Sequence, residues 1–327
     1  MSRIEQPVRI GVVGLGRFGR LHALTLNGLA EARLSAVVGR RKESVDRIQS
    51  ELPHVAGYTD LESAVAESDA EAWIVACTTS QHVRVTRMLL EAGKTVLLEK
   101  PVSENLDEAL SLGALVQPDS GNLMIGHIVL FNSEFQQLRE EASRRGRLRF
   151  IDCVRHRPAA IVADFPGENP LHAAMVHDLY CVQALTNRVE PTYFRAHYGR
   201  TSHGDIDVVN AQLQWPDGLL VSCTASYLTP AGMPPRGFDR MEVFGEGWAA
   251  RIDPNPRPMQ VWTDTASWPL ALEIRTADSG PTGMMAEELR TFCRVVRGLT
   301  KVPAGAGYSD AIQVQRWMDR LTLSVSD

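Results

Sequence analysis

Three short stretches combine residue types and spacings that can do chemistry. The first is Gly14-Leu-Gly16-Arg17-Phe18-Gly19, which follows the apolar run Val8–Val13 and precedes a helical pattern. In that context Gly14 permits a tight turn, Gly16 lets the backbone approach a pyrophosphate, and Gly19 lets helix and strand pack closely. The helix N-terminus then offers free N–H groups and a positive dipole end to phosphates. The second is Gly39-Arg40-Arg41, directly after Ala36-Val-Val38. A site for NAD usually carries Asp or Glu there, to bind the ribose 2′-hydroxyl. A carboxylate repels a 2′-phosphate, whereas a guanidinium pairs with it, so the expected cofactor is NADP(H) rather than NAD(H). The third is Glu99-Lys100-Pro101, at the C-terminal end of the predicted strand Thr95–Leu98. Ligands of open parallel sheets bind at strand ends of this kind.

Lys100 gains weight from composition. The 327 residues carry 34 Lys+Arg against 39 Asp+Glu, a net charge of -5, and only Lys42, Lys94, Lys100 and Lys301 are lysine. Lysine is therefore not the default surface cation here. A hydrophobic fraction of 44% and a charged fraction of 22% describe a globular chain, with length for two domains. No apolar run reaches the roughly 18 residues of a membrane helix, and the mild acidity argues against nucleic acid. The N-terminus shows no secretory pattern, and Cys77, Cys153, Cys181, Cys223 and Cys293 lie scattered without a CxxC. This reads as reduced thiols in a cytoplasmic protein. No histidine or cysteine spacing suggests a metal site.

The elements that must position these groups follow from periodicity. The first 125 residues alternate strands (Val8–Val13, Leu34–Val38, Ala72–Cys77, Thr95–Leu98, Leu123–Ile125) with helical faces such as Val45/Ile48/Leu52 and Val85/Met88/Leu89/Ala92. Gly93 is placed to end a helix. This is the signature of a parallel sheet covered on both faces. Strands then follow one another: Leu148–Arg155, Tyr193–Tyr198, Val208–Trp215, Leu219–Ala225, Met241–Phe244 and Gln260–Thr263. They predict a mainly antiparallel sheet, with a turn at Trp215–Gly218. Asp253–Pro258 reads as a loop. Two helices close the chain, one on Leu289/Phe292/Cys293/Val296 and one capped by Ser309. The expected fold class is α/β: a doubly wound domain over residues 1–122, then an α+β domain with a large open sheet over 123–327.

Other side chains are candidates by position. Thr78 and His82 follow the third strand and face the cofactor in this reading, although His82 also fits a solvated helix start. His127 follows a strand end and points toward the crevice between the domains. Arg155 and Arg157 alternate onto one face of a strand. They could receive an anionic or hydroxyl-rich substrate, although such a pair is more often a solvated or interface face.

The glycine turn, His22, Gln81-His82, Leu90-Glu-Ala-Gly-Lys94 and Glu99-Lys100-Pro101 together resemble the Gfo/Idh/MocA family of sugar and polyol oxidoreductases. Gly126-His-Ile-Val-Leu-Phe-Asn132 resembles the GHxxRFNP stretch of some members, with Leu130 where they have Arg and Ser133 where they have Pro. Phe292 and Arg297-Gly298 resemble the family's closing helix. The resemblance implies that Lys100 hydrogen-bonds the reacting hydroxyl and shares its proton. It implies a histidine base in the second domain, best matched by His177 in Met175-Val-His177-Asp-Leu. Such a ring has an unperturbed pKa near neutrality. Glu99 falls within the cofactor site. Many members have Asp four residues before that histidine, where this chain has Ala173 beside His172. Members often carry an acid three residues after it, where this chain has Tyr180. The implied function is NADP(H)-dependent hydride transfer to or from a sugar, polyol or related hydroxy or carbonyl compound, with the active site between the domains and a homo-oligomer (dimer or tetramer) in the cytoplasm. His172 is then a substrate candidate. Two alternatives stay open: a non-catalytic NADP(H)-binding sensor, and an enzyme of the same fold acting on a nucleotide sugar, imine or dihydrodiol.

Overall fold

The computed structural model describes residues 6–163, 169–230, 237–255, 261–262, 266–267, 274–276 and 280–325. The chain divides into two compact units, Met1–Phe131 with Glu273–Ile312, and Asn132–Leu272 with Gln313–Asp327.

In the first unit six strands form one parallel sheet: β1 (Val8–Val13), β2 (Ala32–Val38), β3 (Ala56–Tyr58), β4 (Ala72–Val75), β5 (Thr95–Glu99) and β6 (Leu123–Gly126). Their order is β3-β2-β1-β4-β5-β6. Every neighbouring pair is parallel. The order reverses direction between β1 and β4, and that switch point opens a crevice at the carboxyl ends of the strands. Crossovers are made by α1 (Arg17–Gly28), α2 (Lys42–Glu51), α3 (Leu61–Glu67), α4 (Thr79–Glu91) and α5 (Leu106–Leu110). The strands read as near-continuous Val, Ile, Leu and Ala because both faces are covered. Trp73, Ile10, Leu97 and Leu98 are among the largest fully buried side chains. Gly93, at φ +71°, closes α4 as its placement predicts. The expected boundary at 122/123 assigns Leu123–Gly126 to the second domain, yet β6 is the edge partner of β5. The first unit also takes α8 (Met284–Val296) from far along the chain, which packs on α1 and the turn Ile128–Phe131. A switch in periodicity marks a change of element type, not the set of elements that share a core.

The second unit is built on β7 (Leu148–Pro158), β8 (Tyr193–Arg200), β9 (Ile206–Gln214), β10 (Leu220–Thr229), β11 (Phe238–Gly245) and β12 (Trp248–Asn255), in the order β12-β11-β7-β10-β9-β8. The β7–β10 pair is parallel and the others antiparallel. The turn at Trp215–Gly218 is present, with Gly218 at φ +89°. Helices α6 (Ser133–Arg144) and α7 (Val176–Leu185) belong to this unit, and α7 is preceded by a π-helical turn, Leu171–Met175. Gln313 and Trp317, on α9 (Tyr308–Leu323), bond to Glu190.

Two sequence expectations need correction here, and a third lies partly outside the described residues. Asp253–Asn255 is not loop but the end of β12, which pairs with β11; Pro254 masked the strand pattern. Residues 256–258 lie outside the described residues. Ser309 is inside α9 rather than its cap, and Asp310 accepts hydrogen bonds from the Gly305 and Gly307 N–H groups instead. Of Gln260–Thr263 only Val261–Trp262 is described, as a two-residue strand.

Among the described residues, no helix is long and apolar enough to cross a membrane.

Candidate cofactor and catalytic sites

The glycine turn joins β1 to α1. Gly14 sits at φ +93°, and a Cβ there would lie 2.4 Å from the Cys77 nitrogen. A Cβ on Gly19 would overlap the Gly14 carbonyl oxygen. These two glycines are therefore required by the protein's own packing. Gly16 differs: a Cβ there would meet nothing within 4 Å. It precedes Arg17 at the start of α1 and has no side-chain cap. The space beside Gly16 is thus room that a phosphate group can fill, next to N–H groups left over at the helix start.

That room continues into a cleft of 620 Å³ lined by Gly14, Gly16, Thr78, Arg40, Arg41 and Arg47. Arg40 and Arg41 are exposed just past the end of β2, and Arg47 is exposed on the second turn of α2. Arg47 escaped the sequence reading; its signal is an exposed position on the helix that Arg41 starts. Asp60 and Glu62 also line the cleft, but the Asp60 carboxylate accepts the Ser63 N–H at 2.8 Å as the cap of α3. Phe18 is half-buried, edge-on to His22.

The end of β5 is densely bonded. Glu99 is buried and its Oε1 lies 2.8 Å from His22 Nε2. Lys100 follows it, half-buried. His82 is not at a solvated helix start: it is buried, with Nδ1 2.7 Å from the Pro101 carbonyl and Nε2 3.1 Å from the Cys77 carbonyl. Burial pushes its pKa down against the pull of the two carbonyls, and with both ring nitrogens facing main-chain oxygens the ring bridges main-chain segments rather than offering a nitrogen to a cofactor. His127 is buried within the first unit, with Nδ1 2.6 Å from the Gly305 carbonyl, and burial pushes its pKa down to about 4.

In the second unit, Arg155 and Arg157 share a face of β7 as alternation predicts, but their charges are committed. Arg155 is buried and donates through Nε and Nη2 to Asp178, at 3.1 and 2.8 Å, and through Nη1 to Asp239 at 2.7 Å. Arg157 donates to both oxygens of Asp239. Burial works against the Arg155 charge, yet the two carboxylates outweigh it and hold its pKa above the ordinary value. An arginine so paired is a structural tie between β7, β11 and α7, not an open anion receptor. Its effect falls on the next residue: Asp178 adjoins His177. His177 is half-buried, with Nδ1 2.5 Å from the Tyr180 hydroxyl, the rings edge-on with centroids 5.6 Å apart. The imidazole is oriented by a phenol in the place where family members often carry an acid. His172 lies in the π-helical turn with Nδ1 3.2 Å from Asn169 Oδ1. Single π turns of this kind often mark functional sites.

Sequence spacing gave no sign of one further group. His22, Glu99 and Glu288 come from α1, β5 and α8, and one nitrogen or oxygen of each lies within 4.8 Å of the others.

Comparison with known proteins places this geometry in context. Residues 8–127 match the model of the GFO/IDH/MocA oxidoreductase family, NAD-binding Rossmann fold, and residues 122–250 match the GFO/IDH/MocA C-terminal domain. The chain is 27% identical over 249 residues to UDP-N-acetylglucosamine 3-dehydrogenase of Acidithiobacillus ferrooxidans, covering 75% of this chain and 74% of that protein. It is 26% identical over 266 residues to inositol 2-dehydrogenase of Rhizobium meliloti, covering 78% of each. Among solved structures, a putative myo-inositol dehydrogenase from Sinorhizobium meliloti 1021 superposes with a TM-score of 0.81 at 22% identity, over 97% of both chains. The glycine turn, the Glu99-Lys100-Pro101 strand end and the two matched domains make this chain a member of the Gfo/Idh/MocA family of oxidoreductases.

Proposed function

We propose that this oxidoreductase uses NADP(H) in preference to NAD(H) and acts on a sugar, polyol or related hydroxy or carbonyl compound. The observation that carries the cofactor preference is the cleft beyond the glycine turn: Arg40, Arg41, Arg47 and Arg84 line it, and Gly39 stands where a ribose-binding carboxylate would be. Gly14, Gly16 and the start of α1 hold the pyrophosphate in this reading, and Arg40, Arg41 and Arg47 the 2′-phosphate. Bound there, the nicotinamide supplies the hydride acceptor or donor. Lys100 hydrogen-bonds the reacting hydroxyl and holds its proton as the C–H bond is broken. His177 is the general base, its ring oriented by the contact between Nδ1 and the Tyr180 hydroxyl.

The substrate class rests on the relatives, whose names cover inositols and a nucleotide sugar. Ala173 and the committed charges of Arg155 and Arg157 leave neither the expected carboxylate nor an open arginine pair there to hold it. This favours neutral, hydroxyl-rich substrates bound through hydrogen bonds over anionic ones. A homo-oligomer in the cytoplasm belongs to the same proposal by family likeness.

Calorimetric titration with NADPH and NADH tests the preference. Wild type binds NADPH at least tenfold more tightly, and the Arg40→Ala/Arg41→Ala double variant loses about 10- to 100-fold for NADPH with little change for NADH, since hydrogen bonds to charged groups contribute about 1.5–3 kcal/mol. Equal affinities for the two cofactors in wild type would sink it.

A further inference from the structure

The three side chains brought together by α1, β5 and α8 have an unusual electrostatic problem. Glu288 is fully buried and, among the described residues, neither of its carboxylate oxygens has a hydrogen-bond partner; His22 Nδ1 has none either. The charged groups facing Glu288 are few. From β5 comes Glu99, a second carboxylate; from α1 comes His22, whose Nε2 is already engaged by Glu99. The turn Ile128–Phe131, the element packed most extensively on α8, is apolar throughout. Arg275, on the short strand beside α8, is exposed. On α8 itself, Arg290 pairs outward with Glu287 and Glu31. His82 and His127, both held toward the neutral form by burial, and Lys100 lie within electrostatic reach of Glu99. A buried ionised carboxylate needs a partner that this arrangement does not supply, and two carboxylates this close do not both ionise.

We propose that His22, Glu99 and Glu288 form a proton-sharing strut in which Glu288 is a neutral carboxylic acid donating to the Glu99 carboxylate, which also accepts the His22 Nε2–H, and that the pinned Glu99 positions Lys100. A side-chain rotation of Glu288 closes the contact, because its oxygens are tied to nothing else. Burial first, and the Glu99 charge second, push the Glu288 carboxyl well above the usual carboxylate range. The surroundings are shaped for Glu99: Gly126 is its register partner on β6, and a Cβ there would stand 3.1 Å from Glu99 Cδ. The strut thus ties the helix that starts at the glycine turn to the strand end that carries Lys100. Glu288 touches neither cofactor nor substrate in this account; it is a positioning residue.

The test compares wild type, Glu288→Gln and Glu288→Leu as full chains. The stability arm needs no activity. A folded state that keeps a proton the unfolded chain has released loses stability as pH rises above the ordinary carboxylate range. Wild type therefore falls in Tm relative to Glu288→Gln between pH 5 and pH 8, because the amide donates to Glu99 without titrating. Parallel curves for the two proteins would overturn the neutral acid. A divalent metal retained at one equivalent by purified wild type and lost in Glu288→Gln would make the cluster a metal centre and overturn the strut. The turnover arm rests on the reading of Lys100. Glu288→Gln keeps kcat/KM within about threefold, whereas Glu288→Leu loses about tenfold or more in kcat with the NADPH Kd unchanged, the signature of an interaction that serves the chemical step. Full turnover in a folded Glu288→Leu protein would overturn the positioning role while leaving the stability arm standing.

Discussion

Tyr180 decides what kind of base His177 can be. A phenol is neutral at pH 7, so it orients the imidazole without stabilising its protonated form as a carboxylate would. Tyr180→Phe is expected to lower kcat/KM about tenfold through loss of one hydrogen bond that fixes the tautomer, with folding retained. Steady-state rates across pH 5–9 check this; an unchanged rate would remove Tyr180 from the mechanism. At this scale legibility was uneven for physical reasons. The glycine turn and the placement of Arg40, Arg41 and Lys100 at strand ends were readable because each follows from its own local run of sequence. Arg155 was not, since its partners Asp178 and Asp239 are 23 and 84 positions away. The His22–Glu99–Glu288 group was invisible for the same reason.

The element most exposed to a single change is α7. Its start is tied to β7 and β11 by Arg155, Asp178 and Asp239, all buried. Arg155→Leu takes from the buried Asp178 the arginine that donates to it and leaves the buried Asp239 with the partly exposed Arg157. Breaking a buried pair in this way costs about 3–5 kcal/mol. Urea unfolding should show a midpoint lowered accordingly, and a loss under about 1 kcal/mol would show that the network contributes little. Elements were legible where apolar runs were dense, as in the strands of the first unit. α6 was missed because only Phe135 and Leu138 are buried on it, too thin a stripe to read, although Asn132 caps it by accepting the Glu134 and Phe135 N–H groups. β12 was missed because Pro254 looks like a break.

On the scale of the whole molecule, the fold class was legible as a change from strand–helix alternation to strand after strand, but the return of α8 to the first unit was not. Local periodicity carries no information about which distant helix covers a sheet. One consequence is the pairing of Arg297, just past α8, with Glu71 at 2.8 Å. Burial works to raise the Glu71 carboxyl, but the Arg297 and Arg9 interactions outweigh it and bring it down to about 2. A depressed acid contributes stability above its unfolded value near 4.3, and that stability is lost as pH falls toward 2. Glu71→Gln should therefore lower Tm at pH 7 and flatten the decline from pH 4.5 to pH 2; a decline as steep as in wild type would contradict the pairing. The central claim, that this fold carries out hydride transfer with Lys100 handling the proton, is tested most directly by nicotinamide absorbance. Wild type and Lys100→Met are mixed with NADP+ and a panel of inositols, sugars and nucleotide sugars. At least one substrate should be turned over by wild type, with the rate about 100- to 10,000-fold lower in the variant at unchanged NADPH affinity, the range typical for loss of a positioned acid or base. Equal rates in the two proteins would contradict the account.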